Sequence, residues 1–334
     1  MNLSLDTLRA VATGVERVEE ENGAVCFHRF TTEEMKTNAN PNRTYAAGVT
    51  LFFRTDAERL SLAFTVESFT GVRSYFALEV YVNGNRIGVI KNFNDVEMMG
   101  NYADKAYPLG DFSGEFALGT GEKTVKILLP HSVKMLWHKI ALFGESFISP
   151  MPAKDVLIAY GDSITQGYDA LYPSETYASR LADMLDLTLI NKGLGGATFT
   201  PALACAENGH SDGCILVAYG TNDWRHLSEE SFRKNAAAFL DAIEAHYPAS
   251  EIFVLSPIWR GDSDQVTAFG CFECVADILS VLCEGRERVH FIHGIDLVPN
   301  EERYFGDIRL HPSGEGFAHY AANLRRSMEK SRLL

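Results

Sequence analysis

The chain has 334 residues, of which 46% are hydrophobic and 22% are charged, and its formal net charge is −14. This length allows two domains, and the composition is that of a globular protein. The negative charge argues against a nucleic-acid partner or an anionic membrane surface, because both need a basic surface. No apolar run reaches the ~18 residues of a membrane-spanning helix.

The first residues of the chain lack the basic stretch followed by an apolar run that marks a signal peptide. We therefore expect a cytoplasmic protein whose six cysteines are reduced. Cys271 and Cys274 form a CxxC pattern, but the sequence offers no second pair that would complete a metal site. We interpret these two cysteines as buried or incidental thiols.

Residues 1–150 contain several segments whose apolar residues alternate at period two, which is typical of half-buried strands. Asn83-Gly84 is a hairpin signal. We find no long amphipathic helix pattern between Val49 and Phe147. The pattern predicts an all-β domain, a sandwich or jelly roll. The alternating residues are Leu60, Leu62, Phe64 and Val66, then Phe76, Leu78, Val80 and Val82, then Val125, Ile127 and Leu129, with a further strand predicted over residues 133–143.

Pro150 and Pro152 interrupt strand and helix alike and mark a domain boundary, so that residues 151–334 form the second domain. Apolar runs alternate here with helical patterns, and continuous apolar runs are typical of buried parallel strands. We predict an α/β fold, a three-layer α/β/α domain with about five parallel strands. The runs cover residues 156–159, 187–190, 214–218, 252–255 and 289–292.

Polar or glycine-rich segments follow these strands at the point where each one ends. The carboxyl ends of parallel strands meet at one edge of the sheet, so we expect these segments to converge there. They are Gly161-Asp162-Ser163, residues 191–198, Gly220-Thr221-Asn222-Asp223-Trp224, Ser256-Pro257-Ile258-Trp259-Arg260 and residues 306–312.

The converging residues suit nucleophilic catalysis. A serine hydroxyl needs a base to take its proton, and a carboxylate holds the basic histidine in the correct tautomer. Ser163, His311 and Asp307 supply these three groups. The oxyanion of the intermediate needs N–H donors, each worth ~3 kcal/mol. Gly196, the side chain of Asn222 and the backbone of Ser163 are the candidate donors.

Four segments of the second half occur in the order of the SGNH, or GDSL, hydrolase blocks. They are Gly161-Asp162-Ser163-Ile164, then Gly196, then Gly220-Thr221-Asn222-Asp223, and finally Asp307, His311 and Pro312. Residues 154–330 thus resemble this superfamily of esterases, lipases and deacetylases. The resemblance implies that Ser163 is the nucleophile, His311 the base, and Gly196 and Asn222 oxyanion donors. It implies no cofactor and no metal. Thr165 replaces the second glycine of a GxSxG elbow, which argues against an ordinary α/β-hydrolase.

One departure from the family pattern concerns the acid. The family usually places it three residues before the histidine, where this chain has Ile308, and Asp307 lies four before. A one-residue bulge or a turn of helix would bring Asp307 to His311. Alternatively, a backbone carbonyl orients His311 and leaves a Ser–His dyad, and Asp296 is a remoter candidate.

The order of the two domains resembles carbohydrate esterases with an N-terminal jelly-roll module, which implies deacetylation of a sugar or oligosaccharide. Trp224, Trp259 and Arg260 are candidate substrate-binding residues, although each tryptophan has an equal alternative in loop packing. We expect a serine esterase for short acyl esters of carbohydrates. The alternatives are a lipase or lysophospholipase for longer chains, and a non-catalytic carbohydrate-binding protein. The expected partner is an ester substrate, with no nucleic acid and no membrane, and the oligomeric state stays open.

Overall fold

The structure is a computed structural model that describes residues 2–37, 39–70, 73–94, 107–145, 147–204 and 213–330. In the first half, two antiparallel sheets share one apolar core, to which Leu51 and Phe53 of one sheet and Leu62 and Phe64 of the other contribute. The predicted β-sandwich is confirmed. The first sheet has the order β1 (Ala12–Thr13), β4 (Thr50–Thr55), β9 (Lys123–Leu128), β6 (Ala77–Val82) and β7 (Asn85–Lys91), with β11 (Ile148–Pro150) also pairing with β4.

The second sheet of the sandwich carries its strands in a different order from the chain. Two short helices, α1 (Leu5–Val11) and α2 (Thr32–Thr37), lie in the same half, and the side chain of Ser4 caps the first by accepting a hydrogen bond from the Thr7 N–H. The order is β2 (Arg17–Glu21), β3 (Ala24–His28), β10 (Lys134–Phe143), β5 (Arg59–Glu67) and β8 (Gly110–Ala117).

The alternating patterns of the first half correspond to strands. In β5, Leu60, Leu62, Phe64 and Val66 are all buried, as the period of two predicts. The Asn83-Gly84 turn joins β6 to β7 with both residues at positive φ, 49° and 78°. That conformation is the one that Asn-Gly turns favour in two-residue hairpins.

The described part of the second half contains five parallel strands, at the positions that the apolar runs predicted. Their spatial order is β13-β12-β14-β15-β16. From β12 the chain adds β13 on one side and then β14, β15 and β16 on the other side. Such a reversal in strand order opens a crevice at the carboxyl ends of the central strands. The strands are β12 (Val156–Gly161), β13 (Thr188–Gly193), β14 (Gly213–Ala218), β15 (Glu251–Leu255) and β16 (Val289–Ile292).

Helices cover both faces of this sheet, which gives the predicted three layers. One apolar cluster contains Phe239 of α6 and Leu279 of α7, and the other contains Leu181 of α4 and Phe317 of α8. The helices are α3 (Ser163–Gln166), α4 (Tyr177–Leu185), α5 (Thr221–His226), α6 (Glu229–His246), α7 (Glu273–Cys283) and α8 (Gly314–Lys330), and short 3₁₀ helices cover Pro41–Thr44, Pro173–Glu175, Pro201–Leu203, Gly294–Asp296 and Glu302–Tyr304.

The sandwich and the parallel sheet meet across a polar, buried contact. The ammonium of Lys192, on β13, lies 2.8 Å from a carboxylate oxygen of Glu16 and 2.8 Å from one of Glu34. Lys192 and Glu34 are almost completely buried there. Charges buried this deeply are retained only as pairs, so this contact fixes how the two halves dock.

The expectation for the CxxC cysteines is wrong. Cys271 and Cys274 form a disulfide, and their Cα atoms lie 5.5 Å apart, which is within the range that a disulfide requires. Cys26, Cys214 and Cys283 are free and buried, and Cys205 lies outside the described residues.

Candidate active site

The nucleophile elbow begins where β12 ends. Asp162 is the N-cap of α3, and its Oδ1 accepts a hydrogen bond from the Ile164 N–H at 2.9 Å. Ser163 is therefore the first residue of the helix, where backbone N–H groups have no partner within the helix. A Cβ on Gly161 would lie 2.1 Å from Thr165 Oγ1, so that only glycine fits beneath this turn.

The structure brings Ser163, His311 and Asp307 together in one chain of hydrogen bonds, which we call the triad. Ser163 Oγ lies 2.8 Å from His311 Nε2, and His311 Nδ1 lies 2.7 Å from Asp307 Oδ2. A carboxylate oxygen only accepts, so Nδ1 carries the proton and Nε2 accepts from the serine hydroxyl. This is the tautomer that allows His311 to act as a base.

The extra residue between Asp307 and His311 is accommodated by the backbone of Ile308, which has a φ of +56°. This left-handed residue turns the loop so that Asp307 Oδ1 accepts three backbone N–H bonds, from Arg309 at 3.1 Å, Leu310 at 2.7 Å and His311 at 2.9 Å. Burial alone raises the pKa of Asp307, but the hydrogen bonds and charge of His311 outweigh it and hold the pKa below its usual range.

The candidate oxyanion donors lie on loops that contact the elbow. Gly196 has a φ of +77°, in a turn closed by the bond from the Ala197 N–H to the Leu194 carbonyl at 2.9 Å. The Leu194 N–H donates to Gly161 at 3.0 Å, and Asn222 Nδ2 donates to Ala197 at 3.0 Å. These bonds tie the loop that carries Gly196 to the first and third sequence blocks.

Gln166 also holds the loop that carries Gly196. Its side-chain oxygen accepts from the Gly195 N–H at 2.8 Å, and its side-chain nitrogen donates to the carbonyl of His131 at 2.8 Å. His131 belongs to the sandwich, and Gln166 is fully buried. The orientation of the peptide between Leu194 and Gly195, next to Gly196, thus depends on a residue of the first domain.

Arg29, which belongs to no motif of the sequence, adds a second support from the sandwich. Its guanidinium is buried and donates to the carbonyls of Asn191 and Gly193, at 3.0 and 2.5 Å. Burial lowers the pKa of Arg29 to about 9. Asn40 also donates to the Gly195 carbonyl at 2.7 Å. A cation that binds carbonyls 162 and 164 positions away along the chain leaves no local pattern in the sequence.

Arg73, from the first half of the chain, contacts the triad directly. Its Nη2 is 2.9 Å from His311 Nδ1 and 3.6 Å from Asp307 Oδ2, and its Nε is 2.9 Å from Oδ1 of Asp169. Its guanidinium also lies 4.8 Å above the ring of Tyr168. Sequence reasoning missed both Arg73 and Asp169, because neither belongs to a motif.

Two buried carboxylates shape the loops. Asp223 Oδ1 accepts from the Phe199 N–H at 3.0 Å, and its Oδ2 accepts from Gly220 at 3.1 Å. Burial raises the pKa of Asp223 to about 6, and burial raises that of Asp162 to about 7. The hydrogen bonds that both side chains accept from backbone N–H groups organise the turns.

Two of the three candidate substrate-binding residues are inside the protein. The ring of Trp224 is completely buried against Phe272, and Arg260 lies 4.8 Å above it. Arg260 is itself buried and binds Asp262 through two contacts, at 2.6 and 3.0 Å. The assignment of Trp224 and Arg260 to substrate contact is therefore wrong. Trp259 is half-buried against Phe305 and stays a candidate.

Among the described residues, two groups bring three metal-ligating atoms within 4.8 Å of one another. Asp169, Asp307 and His311 form one, but the guanidinium of Arg73 contacts all three and neutralises one of the two carboxylate charges. The other, Glu21, Cys26 and His28, lies on the β2–β3 hairpin, where Glu21 is 2.9 Å from His28 Nε2. The chemistry of the triad needs neither group as a metal site.

None of the helices in the described part of the chain is both long and apolar enough to cross a bilayer.

Residues 159–319 match the family model described as GDSL-like lipase/acylhydrolase. No curated protein matches the chain. The solved structures that are similar to the whole chain include the salicylyl-acyltransferase SsfX3 from a tetracycline biosynthetic pathway, with a TM-score of 0.79 and 19% identity over 97% of this chain and 95% of that one.

Two esterase structures are also similar over both domains. A family two carbohydrate esterase from Clostridium thermocellum, in complex with cellohexaose, has a TM-score of 0.68 and 13% identity over 97% of this chain and all of the other. An acetyl xylan esterase, Est2A, from Butyrivibrio proteoclasticus has a TM-score of 0.60 and 15% identity, over 96% and 95% of the two chains. These structures share the two-domain fold of this chain.

Proposed function

We propose that the protein is an ester hydrolase whose substrates are short acyl esters of carbohydrates, above all acetyl esters, since residues 159–319 match the GDSL-like lipase/acylhydrolase family model. The observation that carries the proposal is the triad, whose three members are joined at 2.8 and 2.7 Å with His311 in the tautomer of a base. A vestigial hydrolase would have no need for this alignment, which disfavours a purely carbohydrate-binding role.

The reaction follows from the positions of these groups. Ser163 Oγ attacks the ester carbonyl carbon while His311 Nε2 takes the hydroxyl proton, and Asp307 stabilises the imidazolium that forms. The carbonyl oxygen becomes an oxyanion that accepts hydrogen bonds from Ser163, Gly196 and Asn222. When the C–O bond to the sugar breaks, His311 returns the proton to the leaving alcohol. Water then attacks the acyl-serine with His311 again as base.

Two observations favour a short acyl group and a sugar alcohol. Ser163 and His311 are only 6% and 7% exposed, so there is little room at the nucleophile for a long chain. A cavity of about 310 Å³ lies elsewhere, lined by Phe52, Lys126 and Leu187 among others. The sandwich-plus-hydrolase arrangement is shared with the cellohexaose-bound carbohydrate esterase over 97% of this chain, which supports a carbohydrate substrate.

The test compares the wild-type protein with Ser163→Ala on chromogenic acetate, butyrate and octanoate esters and on acetylated xylo-oligosaccharides. We expect acetate release from the sugars, fastest turnover on acetate, and an acyl adduct on Ser163 in mass spectrometry after rapid quenching. Ser149→Ala, in strand β11 of the sandwich, is the matched control and should keep the wild-type rate.

Three results would count against the proposal. Equal rates for the wild type and Ser163→Ala would remove Ser163 as nucleophile. Faster turnover of octanoate than of acetate would point to a lipase. Acyl transfer from the ester to an added alcohol in preference to water would point to an acyltransferase, the activity named for the similar SsfX3 structure.

A further inference from the structure

We propose that Arg73 and Asp169 form a positioning pair, supplied from both domains, that sets the tautomer and the charge balance of His311. Arg73 belongs to the sandwich, and Asp169 follows the nucleophile elbow. This inference rests on the proposed esterase function and concerns how the site keeps its base in working order.

The pair itself is a buried ion pair with two contacts. Arg73 Nε lies 2.9 Å from Asp169 Oδ1, and Nη2 lies 3.5 Å from Oδ2. The Asp169 side chain is fully buried, and 12% of the Arg73 side chain is exposed. Tyr75, also from the sandwich, places its hydroxyl 3.5 Å from Asp169 Oδ1. A pair held from several sides has a fixed geometry, as a positioning role requires.

The contact with His311 creates a competition between two tautomers. Guanidinium nitrogens only donate, so Arg73 Nη2, at 2.9 Å from His311 Nδ1, favours an unprotonated Nδ1. Asp307 Oδ2, at 2.7 Å, favours a protonated Nδ1, which is the tautomer that catalysis needs. Asp169 weakens the claim of Arg73 on Nδ1, because its Oδ1 accepts from Nε at 2.9 Å and its Oδ2 is a second acceptor for Nη2 at 3.5 Å.

The same pair balances charge. The charged groups that face His311 among the described residues are the carboxylates of Asp307 and Asp169 and the guanidinium of Arg73, while Ser163 and Tyr168 are neutral neighbours. These groups sum to one negative charge, which the imidazolium neutralises when it forms. Loss of Arg73 leaves two negative charges and favours the imidazolium. Loss of the Asp169 charge leaves none and disfavours it.

The test is the pH dependence of kcat/KM for a chromogenic acetate, because its acidic limb reports the protonation of His311 in the free enzyme. The variants are Arg73→Gln, Arg73→Lys and Asp169→Asn. Asn suits position 169, since the residue has a φ of +73° and asparagine tolerates this conformation. Lys126→Met, which removes the 3.0 Å contact with Asp183 elsewhere, is the control.

Opposite shifts are the signature of the pair. We expect the acidic limb to move up by about one pH unit in Arg73→Gln and down by about one pH unit in Asp169→Asn, as is typical for loss of a charge at this distance. In Asp169→Asn, kcat should also fall roughly tenfold or more with little change in KM, because the guanidinium then competes for Nδ1. Arg73→Lys should restore the wild-type limb and only part of kcat.

A merely structural contact predicts something else. Lower rates with unshifted limbs, or limbs that move in the same direction in both charge variants, would overturn the inference. If Arg73→Gln does not fold, Arg73→Lys and nitrogen NMR of the His311 ring in Asp169→Asn still test the inference. Loss of the proton from Nδ1 in Asp169→Asn supports the positioning pair, and retention of that proton refutes it. An inactive wild type would instead refute the proposed function, before these variants are compared.

Discussion

Replacement of Asp307 by asparagine tests the most specific feature of the site, the acid that lies one residue away from its usual place. Three backbone N–H groups donate to Oδ1 at 2.7–3.1 Å, whereas His311 Nδ1 lies against Oδ2. The side-chain oxygen of the introduced amide will therefore stay on the backbone donors, since reversal would sacrifice three bonds of ~1 kcal/mol each. The amide nitrogen then faces Nδ1.

The consequence is an inverted imidazole. An amide nitrogen only donates, so Nδ1 must accept, and Nε2 carries the proton and cannot take another from Ser163. The variant loses a charge-assisted hydrogen bond, ~2–3 kcal/mol, and the attraction of the carboxylate for the imidazolium, together ~4–5 kcal/mol. This corresponds to a loss of roughly 10³–10⁴-fold in kcat. We expect KM to change little, because neither group binds the ground-state ester.

The assay is saturating hydrolysis of a chromogenic acetate at neutral pH, with Ser163→Ala as the background rate. Asp296→Asn is the matched control, because Asp296 is exposed and should be replaceable without loss of rate. A rate for Asp307→Asn within about tenfold of the wild type would refute the reasoning. It would mean that His311 works as part of a dyad and that the 2.7 Å contact is incidental.

The same carboxylate makes a prediction for stability. The pKa of Asp307 is lower in the folded protein than its ordinary value, so the folded state favours the ionised form. The stabilisation of the wild type over Asp307→Asn should be complete above the unfolded pKa, ~3.9, and should disappear as the pH falls through the folded pKa. Denaturant unfolding at a series of pH values measures this. A difference that grows toward acid pH would contradict it.

Two further predictions concern the contacts between the domains. Gln166→Leu removes the bridge from the His131 carbonyl to the Gly195 N–H. The kcat should fall roughly 10- to 100-fold with little change in KM, because a displaced oxyanion donor weakens binding of the transition state. A kcat near that of the wild type would show that the bridge does not position the loop. Lys192→Met leaves two buried carboxylates without their cation and should lower the free energy of unfolding by about 3–5 kcal/mol in denaturant titrations. Lys154→Met, which breaks an exposed pair with Asp186, should cost less than about 1 kcal/mol, and equal losses in the two variants would refute the argument from burial.

The elements that the sequence predicts well are those whose burial is visible in one segment. The five parallel strands are largely buried and read as apolar runs, so their positions could be predicted closely. Strand β8 could not, because its residues Gly110–Ala117 alternate between exposed and half-buried positions and include two glycines and two acidic residues. A strand that packs so lightly leaves little hydrophobic contrast in the sequence.

The position of the acid shows a different limit. The sequence offered Asp307 or a backbone carbonyl as the partner of His311, and it could not choose, because the choice depends on the φ of Ile308. A positive φ is uncommon for any residue with a side chain and costs most for a β-branched one. At this position, three N–H bonds to Asp307 and the bond to His311 offset that cost. Only the folded loop shows this compensation.

The residues that sequence reasoning missed all act across the domain boundary. Arg29 holds β13 and the start of its loop, the His131 carbonyl holds Gln166, and Arg73 contacts His311. Each of these groups lies at least 35 positions from its partner along the chain, so no spacing rule can reveal them. A misplacement of 1 Å near a reacting centre costs up to ~10²-fold in rate. The sandwich therefore contributes contacts that hold the active site in place. Buried pairs such as Lys192 with Glu34 fix how the sandwich docks, and this docking controls the geometry in which Ser163 reacts.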